Sequence, residues 1–213
     1  MSEAINELSK SFLINPIVIL VIVFGLLSKI FYKKIIGWMG ENNTKSALKK
    51  LPKDKYKIIN DILIETNEHT HQIDHVIVSP YGIFCIETKQ YNGFIIGSKW
   101  DKKWTRIVGK NKYPYENPIR QNYGHVKSLC ELLNMDESKI YNIVCIPSTA
   151  KLRIKHDGEL VRYDTIVDKI LSYKDIIIDN VDEIVDTINK NNIKDKAIRK
   201  EHIDNNKNNL NGN

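Results

Sequence analysis

Apolar residues fall in this chain first as one long run, then as short runs bounded by turn residues, and then at helical spacing. Residues 12–27 are apolar except for Asn15, and continuing through Ile30, Phe31 and Tyr32 makes 21 residues. As helix this is about 31 Å at roughly 1.5 Å per residue, the thickness of a bilayer core, so a transmembrane helix over 12–32 is expected. Gly40-Glu41-Asn42-Asn43-Thr44 then leads into Ala47, Leu48 and Leu51, a helical pattern that ends before Pro52. Residues 56–65, with Ile58, Ile59, Ile62 and Ile64, read as a strand interrupted by a turn at Asn60-Asp61.

Two Val- and Ile-rich runs follow, joined by Ser79-Pro80-Tyr81-Gly82, which has Pro second and Gly fourth as a β-turn prefers. A turn centred between Pro80 and Tyr81 makes a hairpin that sets Val78 opposite Ile83, Asp74 opposite Glu87 and Gln72 opposite Lys89. Residues 94–96 and 104–108, separated by Gly97-Ser98-Lys99-Trp100-Asp101, predict a small second hairpin projecting from the fold. Asn117-Pro118 opens a helix through Ile119, Tyr123, Val126, Leu129, Cys130, Leu132 and Leu133. Residues 140–146 form a near-continuous apolar run ended by Pro147, which suits a strand buried on both faces with a parallel partner. Beyond it, Asp164 is expected to cap a helix through Ser172, 176–178 a short strand, and 181–189 an amphipathic helix. The Asn-rich end, 205–213, reads as a disordered tail.

Charge and cysteine content place these elements. Lys and Arg total 32 against 26 Asp and Glu, a net +6 that favours a polyanionic partner or membrane surface, although a solvated Lys-rich exterior explains most single lysines. Glu3 and Glu7 and the lack of a small-x-small site after Leu27 argue for an uncleaved anchor over a signal peptide. Lys29, Lys33 and Lys34 against Lys10 alone predict a single-pass protein, N-terminus outside and main domain cytoplasmic, with the lipid bilayer as a partner. Cys85, Cys130 and Cys145 lack zinc spacing and read as core thiols in a reducing compartment. The expected organisation is 1–11 a short N-terminal segment, 12–32 the span, 33–39 a basic juxtamembrane linker, 40–147 the core domain, 148–204 a C-terminal αβ extension and 205–213 the tail.

The hairpin carries the chemistry. Opposed residues in an antiparallel pair have Cβ atoms roughly 5 Å apart, so Asp74 and Glu87 repel unless a cation sits between them, and a divalent metal is the obvious candidate. No Gly-rich phosphate loop, nucleophile elbow or internal repeat is present, which removes kinases, P-loop enzymes and α/β-hydrolases. A buried Asp, Glu and Lys network with no ion is the competing reading, but apolar residues would fill such a position at little loss of stability. His75 falls on the strand face opposite Asp74 and reads as a packed or surface side chain, while His69 and His71 read as exposed.

Helix, three strands, helix and strand, with Asp74 on one strand and Glu87-Thr88-Lys89 on the next, resemble the PD-(D/E)xK nuclease superfamily. The wording 72–89 resembles, more narrowly, the nuclease-related domain family, as do Gly40-Glu41, Tyr91-Asn92-Gly93, Ile96-Gly97, Asn117-Pro118 and Gln121-Asn122. The resemblance covers about 40–134 and implies an α/β fold: a restriction-endonuclease-like αβββαβ core with a mixed sheet flanked by helices, here preceded by the transmembrane helix. It implies hydrolysis of phosphodiester bonds in nucleic acid, DNA or RNA, with Mg²⁺, or Mn²⁺ in its place. Asp74, Glu87 and the Thr88 carbonyl would hold the ion through hard oxygen ligands, and Lys89 would orient water or meet developing negative charge. Glu41 resembles the superfamily's acidic residue on the first helix, against a plain helix N-terminal Glu. Gln72 would position Lys89 or touch phosphate, against a structural cross-strand bond. Gln121 resembles a polar position of related nucleases, against a solvent-facing Gln. The alternative activity is a non-cleaving module that binds nucleic acid or protein on the same fold.

Overall fold

The computed structural model describes residues 16–211 except 68 and 92, and leaves undescribed the side chains of 17, 29, 30, 33, 34 and 206–211. The chain divides into two compact units, residues 1–39 and 40–213. Helix α1 (Pro16–Leu48) is followed by β1 (Lys57–Thr66), β2 (His69–Ser79) and β3 (Gly82–Thr88). Then come β4 (Phe94–Ser98), β5 (Lys103–Val108), β6 (Asn111–Glu116), α2 (Pro118–Leu133) and β7 (Ile140–Ile146). The chain finishes with β8 (Lys151–Lys155), β9 (Leu160–Arg162), α3 (Ile166–Leu171), α4 (Val181–Asn191) and α5 (Lys196–Asn211).

The expected transmembrane helix is corrected. Among the described residues no helix is long and apolar enough to cross a membrane, and residues 12–15 of the expected span lie outside the described residues. Within α1 the unbroken apolar run is 16–27, about 18 Å of helix against roughly 30 Å of bilayer core. Ser28 and Lys29 interrupt it, and the helix runs on through polar residues instead of stopping at a membrane edge. The N-outside, C-cytoplasmic placement and the bilayer partner rested on that span and fall with it.

In the second unit, a five-stranded sheet has the order β1-β2-β3-β7-β9, the first three strands antiparallel and β3, β7 and β9 parallel. Its turn Ser79 to Gly82 gives the ladder expected from Pro80 and Gly82, from Ser79↔Gly82 and Val78↔Ile83 to His75↔Ile86, and Gly82 takes the positive φ of 127° that suits a residue without Cβ. One sheet face packs Val76, Val78, Ile83 and Cys85 against Val126 and Leu129 of α2 and Ile184 and Ile188 of α4. The other packs Ile77, Phe84, Ile86 and Ile143 against Leu48 at the end of α1, Leu51 just after it, and Ile166 and Ile170 of α3. Both faces are covered, which is why β3 is buried along its whole length and lacks polar alternation.

The second hairpin does not project. With β6 and β8 it builds a four-stranded sheet, β6-β5-β4-β8, whose inner face supplies Ile95, Trp104, Leu152 and Ile154 to a third core shared with Ile119, Val144 and Ile146. The parallel pairing of β4 with β8 completes it. Gly97 lies under the indole: an added Cβ would stand 2.8 Å from Trp104 Cγ, and Trp104 is 1% exposed and donates Nε1 to the Ser98 carbonyl at 2.8 Å. Gly97→Ala is therefore expected to cost about 1–3 kcal/mol through overpacking, lowering Tm by roughly 2–12 °C in a chain of this size. An unchanged Tm in a thermal melt would contradict this packing.

Three local expectations also change. Residues 176–178 form no strand; the Ile177 and Ile178 amides donate to the Pro80 carbonyl at 2.8 and 3.0 Å. The helix expected to be capped by Asp164 starts at Ile166, with Thr165 at its N-cap. Residues 205–211, expected as disordered tail, continue α5.

Candidate active site

The site is built where β2 and β3 part. The β1–β2 ladder runs from Asn60↔His75 to Ile62↔Ile73 and skips Asp61 and Asp74, where Asp61 takes a left-handed φ of 52°. Ile59 and Val76 before the skip and Ile62 and Ile73 after it all pack in the same core, so side-chain alternation resets there in both strands. An irregularity of this kind re-aims a side chain. Asp74 uses it to reach across to β3, where its Oδ2 accepts from the Thr88 amide at 2.7 Å.

On β3, Glu87 is 3% exposed. Its Oε1 pairs with Lys89 Nζ at 2.6 Å and accepts from Gln121 Nε2 at 2.9 Å, and its Oε2 lies 3.5 Å from His125 Nε2. Beyond the end of β3 the Lys89 amide still donates to the Cys145 carbonyl at 2.9 Å, which extends the β7 pairing and keeps the side chain in register. Since a strand residue's N–H and C=O leave toward the same edge, the Thr88 carbonyl opens on the side where its amide meets Asp74. The Thr88 hydroxyl donates to Thr44 Oγ1 at 3.1 Å, tying the strand end to α1.

Electrostatics set the three acids apart. Burial, and then the Glu87 charge, push Asp74 well above the usual carboxylate range, with the Thr88 amide and Lys89 pulling the other way. Burial would also raise Glu87, but Lys89 and His125 hold it down to about 2. Burial would depress Lys89, but Glu87, Asp74 and Glu41 raise it, so it stays charged. Glu41 on α1 is raised by partial burial and by the charges of Asp61 and Glu87, which brings it within electrostatic reach of the cluster. Lys89 is committed to Glu87, which leaves Asp74 short of positive charge.

Gln72 is not brought to the trio. The reset at Asp74 ends the β2–β3 ladder at His75, and Gln72 pairs with Leu63 and donates to Asp61 Oδ1 at 3.1 Å. It does not face Lys89. Asp61 is in turn held by Arg199, 3.0 Å from both carboxylate oxygens. His75 is packed, with Nδ1 2.8 Å from Asn60 Oδ1, and burial lowers it to about 4. His71 is half-buried, not exposed as expected, and its ring meets that of His125 edge-on at 6.2 Å.

His125 was not singled out from the sequence. It lies one helical turn after Gln121 on α2, and residues four apart share a helix face, so the spacing of Gln121 and His125 was the available signal. Both ring nitrogens of His125 are buried without a well-formed hydrogen bond among the described residues, and Nε2 faces Glu87 Oε2 at 3.5 Å.

Among the described residues, no group of three or more His, Cys, Asp and Glu gathers to hold a metal. Mg²⁺ does not require one, since it keeps several waters and is commonly held by one or two carboxylates. Asp74, short of a cation, together with Glu87 and the Thr88 carbonyl, supplies the oxygen donors such an ion would take.

A covered mixed sheet with two carboxyls and a lysine at the parting of two strands is an architecture of the nuclease-like kind. The chain belongs to the nuclease-related domain family, whose profile matches residues 36–147. It is also 32% identical over 194 residues to an uncharacterized protein of Bacillus anthracis, covering 87% of this chain and 92% of that relative. No solved structure matches.

Proposed function

We propose that this protein is a Mg²⁺-dependent nuclease that hydrolyses phosphodiester bonds of DNA, with RNA offering the same linkage. The observation that carries this reading is the meeting of Asp74 with the Thr88 amide beside the Glu87–Lys89 pair. Asp74, Glu87 and the Thr88 carbonyl would hold the ion, which when bound supplies Lewis acidity toward phosphate and a more acidic water. Lys89, kept protonated by its three acidic neighbours, places a positive charge where negative charge builds on the phosphoryl oxygens. Gln121 fixes the Glu87 carboxylate by donating to Oε1. Glu41, whose carboxyl is raised by burial and by the charges of Asp61 and Glu87, would orient a water at the α1 side of the site.

Lys89→Ala separates these roles. The expected result is a fall in single-turnover rate of about a hundredfold, with the Mg²⁺ concentration for half-maximal rate changed by no more than about threefold. Recovery of the full rate at high Mg²⁺ would instead assign Lys89 to metal binding. Binding of DNA by the unaltered protein with no cleavage under any divalent ion would favour the non-cleaving module.

A further inference from the structure

The outward face of the second sheet has a composition that neither its packing nor the site explains. Ladder partners share a face, so the registers order its side chains into rows across β6, β5, β4 and β8. One row reads Lys112, Ile107, Phe94, Lys151; the next Pro114, Thr105, Ile96, Arg153; beyond them Glu116 pairs with Lys103, and Ser98 with Lys155. The centre is apolar, with Phe94 36% exposed. Lys151, Arg153 and Lys155, all exposed and alternating with the inward Leu152 and Ile154, form a cationic border along the edge strand. Against five cations the face carries one acid, Glu116, and that is 3.6 Å from Lys103.

Lysines on an edge strand also discourage pairing with another sheet, but that purpose leaves an exposed Phe94 beside Ile96 and Ile107 unaccounted for. On α4, by contrast, Lys190 follows Asp182, Glu183 and Asp186. A flat sheet face with an aromatic centre and a basic border matches one ligand chemistry: unpaired bases stack on the ring while the phosphate backbone follows the cations. A duplex keeps its bases inside and gains nothing from Phe94.

We infer that the outward face of β6-β5-β4-β8 is a platform for single-stranded nucleic acid, with Phe94 as stacking residue and Lys151, Arg153 and Lys155 as backbone contacts. This rests on the reading of the Asp74–Glu87–Lys89 site as one that acts on nucleic acid. The platform begins at Phe94, five residues after Lys89, so it would hold the strand whose continuation enters the site.

The test is binding of a labelled 20-nucleotide single strand, and of the blunt duplex of the same sequence, to the full chain in EDTA across a salt series. K151Q/R153Q/K155Q is expected to weaken single-strand binding by tenfold or more and to reduce the log–log salt slope by about 2, for three lost contacts. Phe94→Ala is expected to weaken single-strand binding about tenfold and leave duplex binding unchanged. The matched triple K190Q/K194Q/K200Q, also at exposed positions, is expected to stay within about twofold of the unaltered protein. Equal losses from both triples would reduce the effect to net charge and overturn the platform, as would tighter binding of duplex with Phe94→Ala silent. Single-strand binding on this face by the unaltered protein, with no cleavage in Mg²⁺, would overturn the proposed hydrolysis and leave the platform standing.

Discussion

Glu87→Gln is expected to lower DNA cleavage by roughly a thousandfold or more while the protein stays folded. Gln keeps the length of the side chain and an oxygen where Gln121 Nε2 and Lys89 Nζ now meet Oε1, so packing around this 3% exposed position is preserved. What it removes is negative charge. A hard divalent ion loses one of its two carboxylates, and Lys89 loses the partner that holds it beside the reaction. The change is read from single-turnover rates in saturating Mg²⁺, with circular dichroism as the check on folding. A rate within tenfold of the unaltered protein would show that Glu87 does not hold the ion.

The second large effect falls on stability. Asn122 is 0% exposed and donates Nδ2 to the Cys85 carbonyl at 2.9 Å, to the Ile143 carbonyl at 3.1 Å and to Asn142 Oδ1 at 2.8 Å. Asn142 then donates to the Ile119 carbonyl at 2.9 Å. One side chain thereby fastens α2 to β3 and β7, directly behind the face that offers Gln121 and His125 to Glu87. Asn122→Ala leaves several buried acceptors with less than their complement and opens a cavity, which together cost about 3 kcal/mol, or roughly 6–12 °C in Tm. Cleavage by the folded fraction should also fall, because Gln121 then loses its seat. A Tm within about 2 °C of the unaltered protein would remove Asn122 from this role.

How far the site was legible depended on how local each determinant is. The hairpin ladder followed from Pro80 and Gly82 because turn chemistry sets register over the residues nearest the turn, and the observed pairs down to His75↔Ile86 are those expected. Extending the same arithmetic to Gln72 failed. The reset at Asp61 and Asp74 depends on a left-handed Asp61 whose carboxylate is held by Arg199, 138 residues away; the turn expected at Asn60-Asp61 falls at the break in β1, but no local pattern announces its counterpart at Asp74. Gln121 was singled out and His125 was not, although their spacing of one helical turn offers both to Glu87.

The second sheet was hidden for a related reason. β8 alternates Lys and Arg with Leu and Ile, and its parallel partner β4 lies more than fifty residues earlier in the chain, so neither strand signals the other. β6 carries Lys112 and Pro114 on its outward face, and no strand is expected over 111–116. At the N-terminal end the opposite error arose. Hydropathy counted across Ser28 and Lys29 gave a length that the unbroken run of α1 does not have.

The most direct measurement is cleavage of labelled DNA by the full chain, followed in Mg²⁺, in EDTA, and after Mg²⁺ is restored, with Asp74→Asn in parallel. The expected result is cleavage that stops in EDTA, returns with Mg²⁺, and is absent from Asp74→Asn under all three conditions. Equal cleavage with and without EDTA, or full activity from Asp74→Asn, would contradict a metal-dependent site at the parting of β2 and β3.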